Sequence, residues 1–344
     1  MYTSAKRTPV KDCCIHFFSF ISLSLTFKSQ PDLLVRSKVP KMKRSSVALF
    51  DALSKGSSVR EDSSGTRIRH LSRHLTAAAP TATELNGKAQ HAEYRIRQIA
   101  WVVKDLEESV KGLCEALGLN PTYRDPDIHL LGLRNCVCVL GDQFLEMVSP
   151  EEASNTASKQ LERRKGDGGY MVLLQGLNFE ADRSRLLQPD MFQSVLTIER
   201  DEMKEMHLHP KDTAKCIVSF SEAGPSPREW VWGGPDWKVQ STQSTGLCKG
   251  IKAAIIQSDD VNRAVIQYKK LLNVEPTRTG VGQEAIFHLS GLAQQVPGAE
   301  PQEIRIVQAK DGRGDGLHGI VLHGSAPSVK GRTVDVRGLQ VTFG

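Results

Sequence analysis

Several motifs that mark enzyme classes are missing from this chain. It has no GxSxG nucleophile elbow, no HExxH zinc motif, no P-loop and no EF-hand loop. Its glycine-rich stretches, residues 166–169 and 312–316, each precede a predicted strand and do not join a strand to a helix. Neither is therefore a dinucleotide-binding fingerprint. The class of protein must therefore be inferred from the order of predicted strands and helices and from internal repeats.

Cysteine is scarce and shows no pairing pattern. The chain has 7 cysteines, an odd number, and no CxxC pair. Cys136 and Cys138 are two positions apart in a predicted strand, so their side chains share a face and are expected in a core, not in a bridge. Reduced thiols and an intracellular location follow as expectations.

A basic folded body is also lacking, although the net charge is +6. Residues 1–93 hold 15 Lys+Arg and 7 Asp+Glu, which leaves 30 basic and 32 acidic residues in the rest of the chain. The positive charge thus belongs to the first 93 residues. No nucleic-acid partner is expected for the remainder.

Residues 1–93 are predicted to be a disordered or targeting leader. The apolar run at residues 15–27 is too short for a stable membrane span, and no small-x-small cleavage site follows it. Residues 67–75 place three apolar side chains on one helical face among arginines, which is typical of a mitochondrial or plastid transit peptide. A plain disordered tail in a cytoplasmic protein is the alternative.

The central pattern is a strand–helix–strand unit over residues 95–150. Residues 96–103 form a mostly apolar run, and the spacing then becomes helical from Leu106 to Leu117. Asp105 is the expected N-cap and Gly118 ends the helix. Residues 135–139 and 143–148 are predicted strands, and a further strand is expected at residues 129–133. The unit is therefore β-α-β-β-β.

The unit occurs again later in the chain. Residues 251–277 align without a gap on residues 96–122, and GDGLHGIVLH from Gly314 resembles GDGGYMVLLQ from Gly166. Internal repeats define architecture, so we expect four modules, the last one short. Chance similarity between two amphipathic strand–helix pairs is the competing interpretation.

These phrases resemble the vicinal oxygen chelate (glyoxalase/bleomycin resistance/dioxygenase) superfamily. The phrases IAWVVKDLEESVKGLCEALGL and FLEMVSP carry the likeness, with LERRKGDGGYMVLLQ and WVWGGPDW pointing to its glyoxalase-like-domain proteins. The resemblance implies an α+β fold of repeated βαβββ modules in curved mixed sheets. It predicts a glyoxalase-like domain at residues 94–240, with modules at 94–165 and 166–240, and an incomplete, degenerate second repeat at 250–344.

The resemblance also implies a divalent metal (Zn, Mn, Fe or Ni) held in a cup of strands. The ligand positions of the family fall on Gln98 and Glu146 in the first module, and near Met171 and Ser219 in the second. Methionine is a poor ligand for a hard ion, so only Gln98 and Glu146 are candidates. The equivalent positions of the second repeat, Ala253, Arg305 and a residue near Gly319, predict no metal. Alternatively, Gln98 and Glu146 simply satisfy each other.

Other side chains are candidate ligand contacts. Glu205, His207 and His209 alternate along a predicted strand, where convergence of all three on one metal is disfavoured, and His209 is kept as a substrate-binding residue. Trp232 and Trp237 are expected to form a pocket wall, or alternatively a core plug. Arg163 is a candidate anchor for a substrate carboxylate or phosphate, and solvent exposure is its competing interpretation.

The sequence thus predicts a protein that binds a small organic molecule in a sheet-lined cup. It is either a metal-dependent lyase, isomerase or dioxygenase with Glu146 as the catalytic group, or a metal-free binding or sequestering protein without catalysis. A scaffold in which the second repeat forms a homodimer is the third alternative. Substrate and reaction are not predicted.

Overall fold

The computed structural model describes residues 91–241, 246–279 and 284–344. The predicted leader lies outside these residues except for its last three positions. Within the described ranges no helix is both long and apolar enough to cross a membrane.

The first module folds largely as its sequence pattern predicts. Strand β1 (Arg95–Val102) leads into helix α1 (Leu106–Leu117), whose N-cap Asp105 accepts a hydrogen bond from the backbone N–H of Glu108. Gly118 ends the helix at φ 66°, a left-handed conformation that glycine adopts without strain. Strands β2 (Leu133–Leu140) and β3 (Gln143–Pro150) complete the module.

The prediction of a strand at residues 129–133 is wrong. The chain instead forms a 3-10 helix at Ile128–Leu131, ended by Gly132 at φ 67°. Leu130 and Leu131 are 58% and 50% exposed, so their apolar character reflects no buried strand. The missing strand is reduced to a single bridge between Tyr123 and Val137.

The remaining elements follow in three groups. The second module has the order strand–helix–strand–strand–strand after a connecting helix: α2 (Thr156–Arg163), β4 (Gly168–Gln175), α3 (Phe179–Leu186), β5 (Ser194–Arg200), β6 (Met203–Leu208) and β7 (Ile217–Ala223). The third has the same order after a short helix: α4 (Trp237–Ser241), β8 (Cys248–Ser258), α5 (Val261–Leu272), β9 (Thr277–Thr279), β10 (Glu284–Leu289) and β11 (Gln302–Gln308). The last group contains only strands: β12 (Gly316–Gly324), β13 (Thr333–Val336) and β14 (Leu339–Phe343).

The strands form two mixed seven-stranded sheets with matching topology. The orders are β2-β3-β1-β4-β7-β6-β5 and β13-β14-β12-β8-β11-β10-β9. In each sheet the first strand of a module runs parallel to the last strand of that module, and the two modules meet through an antiparallel pair, β1–β4 or β8–β12. The α+β class and the mixed sheets built from paired modules are confirmed. The incompleteness of the second repeat and the exact domain boundaries stay predictions.

The internal repeat is reproduced down to the strand register. Gln98 lies opposite Leu173, and the aligned residue Ala253 lies opposite Val321. Glu146 pairs with Ala100 in the first sheet, just as Arg305 pairs with Ile255 in the second. Because a slip of one residue would reverse every side chain, a shared register places equivalent positions on equivalent faces.

Two β-bulges are repeated as well. In the first sheet the register skips Arg97 on β1 and Tyr170 on β4. In the second it skips Lys252 and His318, the residues that align with them. Bulges redirect a side chain relative to the regular pleat, and chance similarity does not reproduce them in pairs. The duplication is therefore structural, not a coincidence of composition.

The two repeats are joined by a reciprocal pair of buried glutamines. Gln143 donates to the carbonyl of Ile96 in its own repeat and accepts from the N–H of Ile251 in the other, both at 2.7 Å. Gln302 donates to the carbonyl of Ile251 at 2.8 Å and accepts from the N–H of Ile96 at 2.7 Å. Since Ile96 aligns with Ile251, the arrangement has local two-fold pseudosymmetry, like an isologous interface.

A close crossing of β4 and β12 lies at the same junction. A Cβ atom on Gly169 would come within 2.5 Å of the carbonyl oxygen of Leu317, so the backbones can approach only because residue 169 is glycine. The larger core is continuous through this junction, since it contains buried side chains of α1, α5 and strands of both sheets. A second core lies on the other face of the first sheet.

We expect the glutamine pair to contribute to the stability of the whole folded unit. Gln143→Leu keeps the side-chain size but leaves the Ile251 N–H without its partner, and Gln302→Leu does the same for Ile96. Each change should lower the free energy of unfolding by about 1–3 kcal/mol. Urea denaturation of the two variants, beside Gln188→Leu at an exposed helix end as control, measures this. Losses no larger than that of the control would contradict the role.

Candidate functional site

The candidate site lies on one face of the first sheet, covered by the chain segment that follows β7. We call residues 224–241 the strap, and the sheet surface beneath them the strap face. Trp230 and Trp237 of the strap are 1% and 8% exposed and pack on Phe144 of β3, with ring centroids 6.4 and 5.4 Å apart. The tryptophans therefore cover the sheet as a plug, which was the alternative interpretation of Trp237.

Glu146 lies at the centre of a fully hydrogen-bonded cluster on the strap face. Its two carboxylate oxygens accept from the amide groups of Asn135 at 2.7 Å and Gln98 at 2.8 Å. The amide oxygen of Gln98 accepts in turn from the indole N–H of Trp230 at 2.7 Å. Each carboxylate oxygen of Glu146 and the amide oxygen of Gln98 thus already accepts one hydrogen bond within the fold.

An arginine is enclosed beside this cluster. Arg97, brought to this face by the bulge, is fully buried with its guanidinium 5.4–5.6 Å from the ring centroids of Phe144, Trp230 and Trp237. It donates to Gln175 at 3.2 Å and to the carbonyl of Arg228 at 3.1 Å. Cation–π contact on three sides holds the strap against the sheet.

A second polar cluster lies on β6 and β7 and is not saturated. Glu205 is 2% exposed and its carboxylate lies 3.1 Å from Nε2 of His207. Ser221 and Ser219 lie directly opposite Glu205 and His207 on the neighbouring strand. The hydroxyl oxygens of both serines and the indole nitrogen of Trp232 are buried and make no hydrogen bond of good geometry, although Ser219 and Trp232 lie close enough to Glu205 to stabilise its charge. Three unsatisfied polar atoms in one place are unusual, because buried polar groups are normally paired.

The two carboxyl groups have opposite electrostatic environments. Burial raises the pKa of Glu146, although the hydrogen bonds from Asn135 and Gln98 partly oppose the shift. Burial also disfavours the charged form of Glu205. The charge of His207 and hydrogen bonding by His207, Ser219 and Trp232 outweigh this effect, so the pKa of Glu205 is lowered. Between them Tyr170 has its pKa raised to about 12 by burial and by the charge of Glu146. Glu205 is therefore the group held as a carboxylate.

The remaining predicted site residues lie elsewhere. Arg163 donates to the carbonyls of Asp315 at 2.9 Å and Lys215 at 3.1 Å and to Gln160, so its guanidinium joins the repeats. His209 caps a short 3-10 helix, where its Nδ1 accepts from the N–H of Lys211 at 3.1 Å. Among the described residues, no hydrogen bond connects either side chain to Gln98, Glu146 or Glu205. Their substrate-binding roles stay untested predictions.

The four positions that the family resemblance assigns to metal ligands, of which only Gln98 and Glu146 were candidates, do not form a suitable donor set. Gln98 and Glu146 are engaged as above, Met171 offers only a thioether, and Ser219 offers a neutral hydroxyl. Divalent ions of the expected kinds prefer imidazole and carboxylate ligands. Among the described residues no group of three or more His, Cys, Asp and Glu side chains is arranged to bind a metal.

A cavity of about 420 Å³ lies away from the strap face, at the contact between the first and last modules. Its lining is mainly basic and consists of Lys104, Lys165, Gly166, Asp167, Arg313, Arg337 and Gly338. The Arg313 guanidinium donates to the carbonyls of Arg164, Gly338 and Asp167, so it is a structural link between repeats. None of the site residues predicted from the sequence lines this cavity.

Sequence reasoning missed several residues of the strap face. Asn135 stood beside two predicted core cysteines, and Ser221 follows Ser219 by two positions, so strand alternation could have revealed both. Arg97 and Tyr170 point to this face only because of the bulges, which no sequence signal marks here. Trp230 lies two residues before Trp232 in the sequence, but its hydrogen bond to Gln98 depends on the tertiary path of the strap.

The comparisons with known proteins concern the fold. The sequence matches no protein-family model and no curated protein. A hypothetical protein from Staphylococcus aureus aligns over 73% of this chain and 98% of its own, with TM-score 0.53 and 16% identity. Methylmalonyl-CoA epimerase from Mycobacterium tuberculosis aligns over 38% of this chain and 89% of its own, with TM-score 0.34 and 18% identity. Methylmalonyl-CoA epimerase from Streptomyces coelicolor aligns over 39% of this chain and 99% of its own, with TM-score 0.34 and 16% identity.

The Staphylococcus aureus protein, which aligns over most of both chains, therefore shares the fold of this chain, with its paired modules and parallel first and last strands. At these identities the likeness extends to the fold alone.

Ser219 and Ser258 form a matched pair for testing the unsaturated cluster. Both are fully buried, but Ser258 donates to Asp315 at 2.9 Å whereas Ser219 makes no hydrogen bond of good geometry. Ser219→Ala should change the free energy of unfolding by less than about 0.5 kcal/mol or raise it, and Ser258→Ala should lower it by about 1–2 kcal/mol. Chemical denaturation compares them. Equal losses would show that Ser219 is satisfied within the fold.

The raised pKa of Glu146 predicts a pH dependence with a defined sign. A carboxyl group whose folded pKa lies above its unfolded value, about 4.3, stabilises the fold most when it is protonated. The stability of the wild type relative to Glu146→Gln should therefore fall as pH rises from about 4 through the folded pKa of Glu146. Thermal denaturation from pH 4 to 8, with the exposed Glu152→Gln as control, measures it. Parallel pH curves for wild type and Glu146→Gln would refute it.

Proposed function

We propose that this glyoxalase-like protein binds a small organic molecule on the strap face, against Glu205, Ser219, Ser221 and Trp232. The observation that supports this is the group of three buried polar atoms that make no hydrogen bond of good geometry around a buried carboxylate. Leaving such atoms unpaired costs free energy, which a bound polar molecule would recover. The ligand would meet one acceptor at Glu205, with the serine hydroxyls and the indole N–H free to bond to it.

The proposed ligand carries both a polar and an apolar part. Glu205, as a carboxylate, accepts hydrogen bonds and favours a hydroxyl, amine or amide donor on the ligand. The serine hydroxyls both donate and accept, and the indole N–H of Trp232 donates to an oxygen. Buried apolar side chains of the second core, such as Leu173 and Ile217 on the neighbouring strands, would contact the rest of the molecule.

Binding would require the strap to shift. Trp230 and Trp237 are nearly fully buried, whereas Trp232, between them in sequence, is only partly buried. The strap is held by the Trp230–Gln98 hydrogen bond and by the Arg97 contacts. We propose that it moves enough to admit the ligand beside Trp232 while its outer tryptophans stay in place.

The metal-free binding protein is favoured over the metal-dependent enzyme. The saturation of Glu146 and Gln98 supports this choice, because a metal at these groups would have to displace the hydrogen bonds of Asn135 and Trp230. For a lyase, isomerase or dioxygenase, Glu146 would hold the metal or act as acid and base. Elemental analysis of the purified full chain distinguishes the two. Stoichiometric zinc, manganese, iron or nickel that is lost in Glu146→Ala would overturn the metal-free choice.

The division into domains remains part of this proposal. The first repeat, residues 94–240, would carry the ligand, and the second, residues 250–344, would be the shorter and degenerate repeat that supports it. Its position equivalent to Glu146 is Arg305, which pairs with Glu303 at 2.7 Å. Formation of a homodimer through the second repeat is the remaining alternative, and sedimentation of the protein without ligand tests it.

Variants of the unsaturated cluster should weaken binding without unfolding the protein. Small dicarbonyl and catechol compounds are screened against the wild type by thermal shift, and each hit is measured by calorimetry. Glu205→Gln should weaken binding of a hit about 10- to 100-fold, since it removes a charge-assisted hydrogen bond. Ser219→Ala should weaken it about 3- to 10-fold.

Controls for this experiment are available on the same sheet. Glu199→Gln changes an exposed carboxylate on β5, and its binding should equal that of the wild type. Circular dichroism establishes that each variant is folded. Hits that bind all variants with the same affinity would contradict the proposed position of the site.

A further inference from the structure

Three thiols are gathered between helix α1 and strand β2. Cys114 lies on α1, and Cys136 and Cys138 lie on the face of β2 that is turned towards the larger core. The sulfur atoms of Cys114 and Cys138 are 3.8 Å apart. All five cysteines in the described ranges are free thiols. The proximity was not foreseen from the sequence, where Cys114 was simply part of the helix.

The members of the cluster differ in access to solvent. Cys114 is partly buried, whereas Cys136 and Cys138 are 1% and 0% exposed. The hydrogen bond from Cys138 lowers the pKa of the Cys114 thiol. The hydrogen bond from Cys138 also lowers the pKa of the Cys136 thiol, and the guanidinium of Arg124, held by Glu107 at 2.8 and 2.9 Å, adds to this shift. Of the two thiols with lowered pKa, Cys114 is the one that is partly exposed, and the Cys138 sulfur lies directly behind it.

We propose that Cys114 and Cys138 are a peroxide-sensitive thiol pair that closes to a disulfide between α1 and β2. The sulfur atoms need to approach by about 1.8 Å, since a disulfide bond is about 2.0 Å long. Rotation of the Cys114 side chain on the helix surface supplies this movement without a change in the strand. A lone surface cysteine would instead stop at sulfenic acid or be oxidised further.

The chemistry balances with hydrogen peroxide as the oxidant. The Cys114 thiolate attacks one oxygen of the peroxide, the O–O bond breaks, and sulfenic acid and hydroxide form. The Cys138 sulfur then attacks the Cys114 sulfur, the S–O bond breaks, and hydroxide leaves. Overall two thiols lose two electrons and two protons, and one peroxide becomes two water molecules.

Cys138 is the partner of Cys114, and the other cysteines are suitable controls. The Cys136 sulfur points to the carbonyl of Val137 at 3.9 Å and makes no sulfur contact with Cys114 in this arrangement. The Cys216 sulfur contacts the carbonyls of Tyr170 and Ile217, and among the described residues neither Cys216 nor Cys248 makes a sulfur–sulfur contact, so these two thiols should not join Cys114. The pairing is therefore specific within a chain of several cysteines.

The disulfide would lie on the opposite side of β2 from the strap face. Strand β2 presents Cys136 and Cys138 on one face and Asn135 and Val137 on the other, so the cross-link lies beneath the residue that binds Glu146. A covalent link between α1 and β2 would limit relative movement of these two elements. The proposal does not depend on the identity of any ligand, and its test is independent of binding.

Peptide mapping of the full-length protein tests the proposal. Reduced protein is treated with hydrogen peroxide, free thiols are blocked with N-ethylmaleimide, and trypsin releases residues 112–124 with Cys114 and 135–159 with Cys138. We expect these two peptides to be joined, with a mass 2 Da below the sum of peptide 112–124 and peptide 135–159 carrying one N-ethylmaleimide group on Cys136, and at least tenfold more of this product than without peroxide. Cys114→Ser and Cys138→Ala should abolish it, whereas Cys136→Ala and Cys248→Ala should retain it.

Two results would overturn the proposal. The first is accumulation of sulfinic acid on Cys114 with no joined peptides, which would show that Cys138 cannot reach it. The second is a joined product that persists in Cys138→Ala and disappears in Cys136→Ala, which would assign the bridge to the other thiol. Circular dichroism verifies that each variant is folded, and an unfolded Cys138→Ala is replaced by Cys138→Val in the same assay.

Discussion

The arrangement of this protein depends on two glutamines that exchange hydrogen bonds across the junction of its repeats. Gln143 and Gln302 each bind the isoleucine at the start of their own repeat and the corresponding isoleucine of the other. These isoleucines lie next to the bulge residues Arg97 and Lys252, where the regular ladder is interrupted. The glutamine side chains bind backbone N–H and C=O groups of Ile96 and Ile251 beside each bulge, where the regular ladder is interrupted. The bulges and the junction between the repeats are therefore coupled.

The bulges in turn decide what the strap face contains. Arg97 and Tyr170 are brought to it by the two interruptions of the β1–β4 ladder, and the aromatic side chains of the strap then surround Arg97. Burial of so many polar groups is tolerated because most of them are paired. The cluster around Glu146 is closed, whereas the one around Glu205 is open. This contrast within one face distinguishes a structural network from a place where a ligand can bind.

Local signals in the sequence were sufficient for much of the fold. The capping of α1 by Asp105 and Gly118, the main strands of the first module and the gapless repeat were all predictable from short-range chemistry. The strand at residues 129–133 was wrong because an exposed apolar turn cannot be told from a strand by hydrophobicity alone. The glutamine pair was missed because it becomes evident only when the repeat is aligned beyond its first 27 residues.

The candidate site was less predictable for a physical reason. Gln98 and Glu146 could be located by family position, but whether they bind each other or something else depends on Asn135 and Trp230, which come from distant parts of the chain. Unpaired atoms such as the hydroxyl of Ser219 are properties of a packed interior and leave no trace in a sequence pattern. Local chemistry predicts which groups are present, and tertiary packing decides which of them remain available.

The pseudosymmetric junction has a consequence for how this protein can change over time. In a homodimer every substitution appears on both sides of the axis, so the two faces must stay alike. Here the two halves are encoded separately, and equivalent positions have diverged to opposite charge: Glu146 in one half and Arg305 in the other. Because both halves lie in one chain, a substitution in one half leaves the other half unchanged. The shared strand register keeps equivalent positions on equivalent faces of the two sheets.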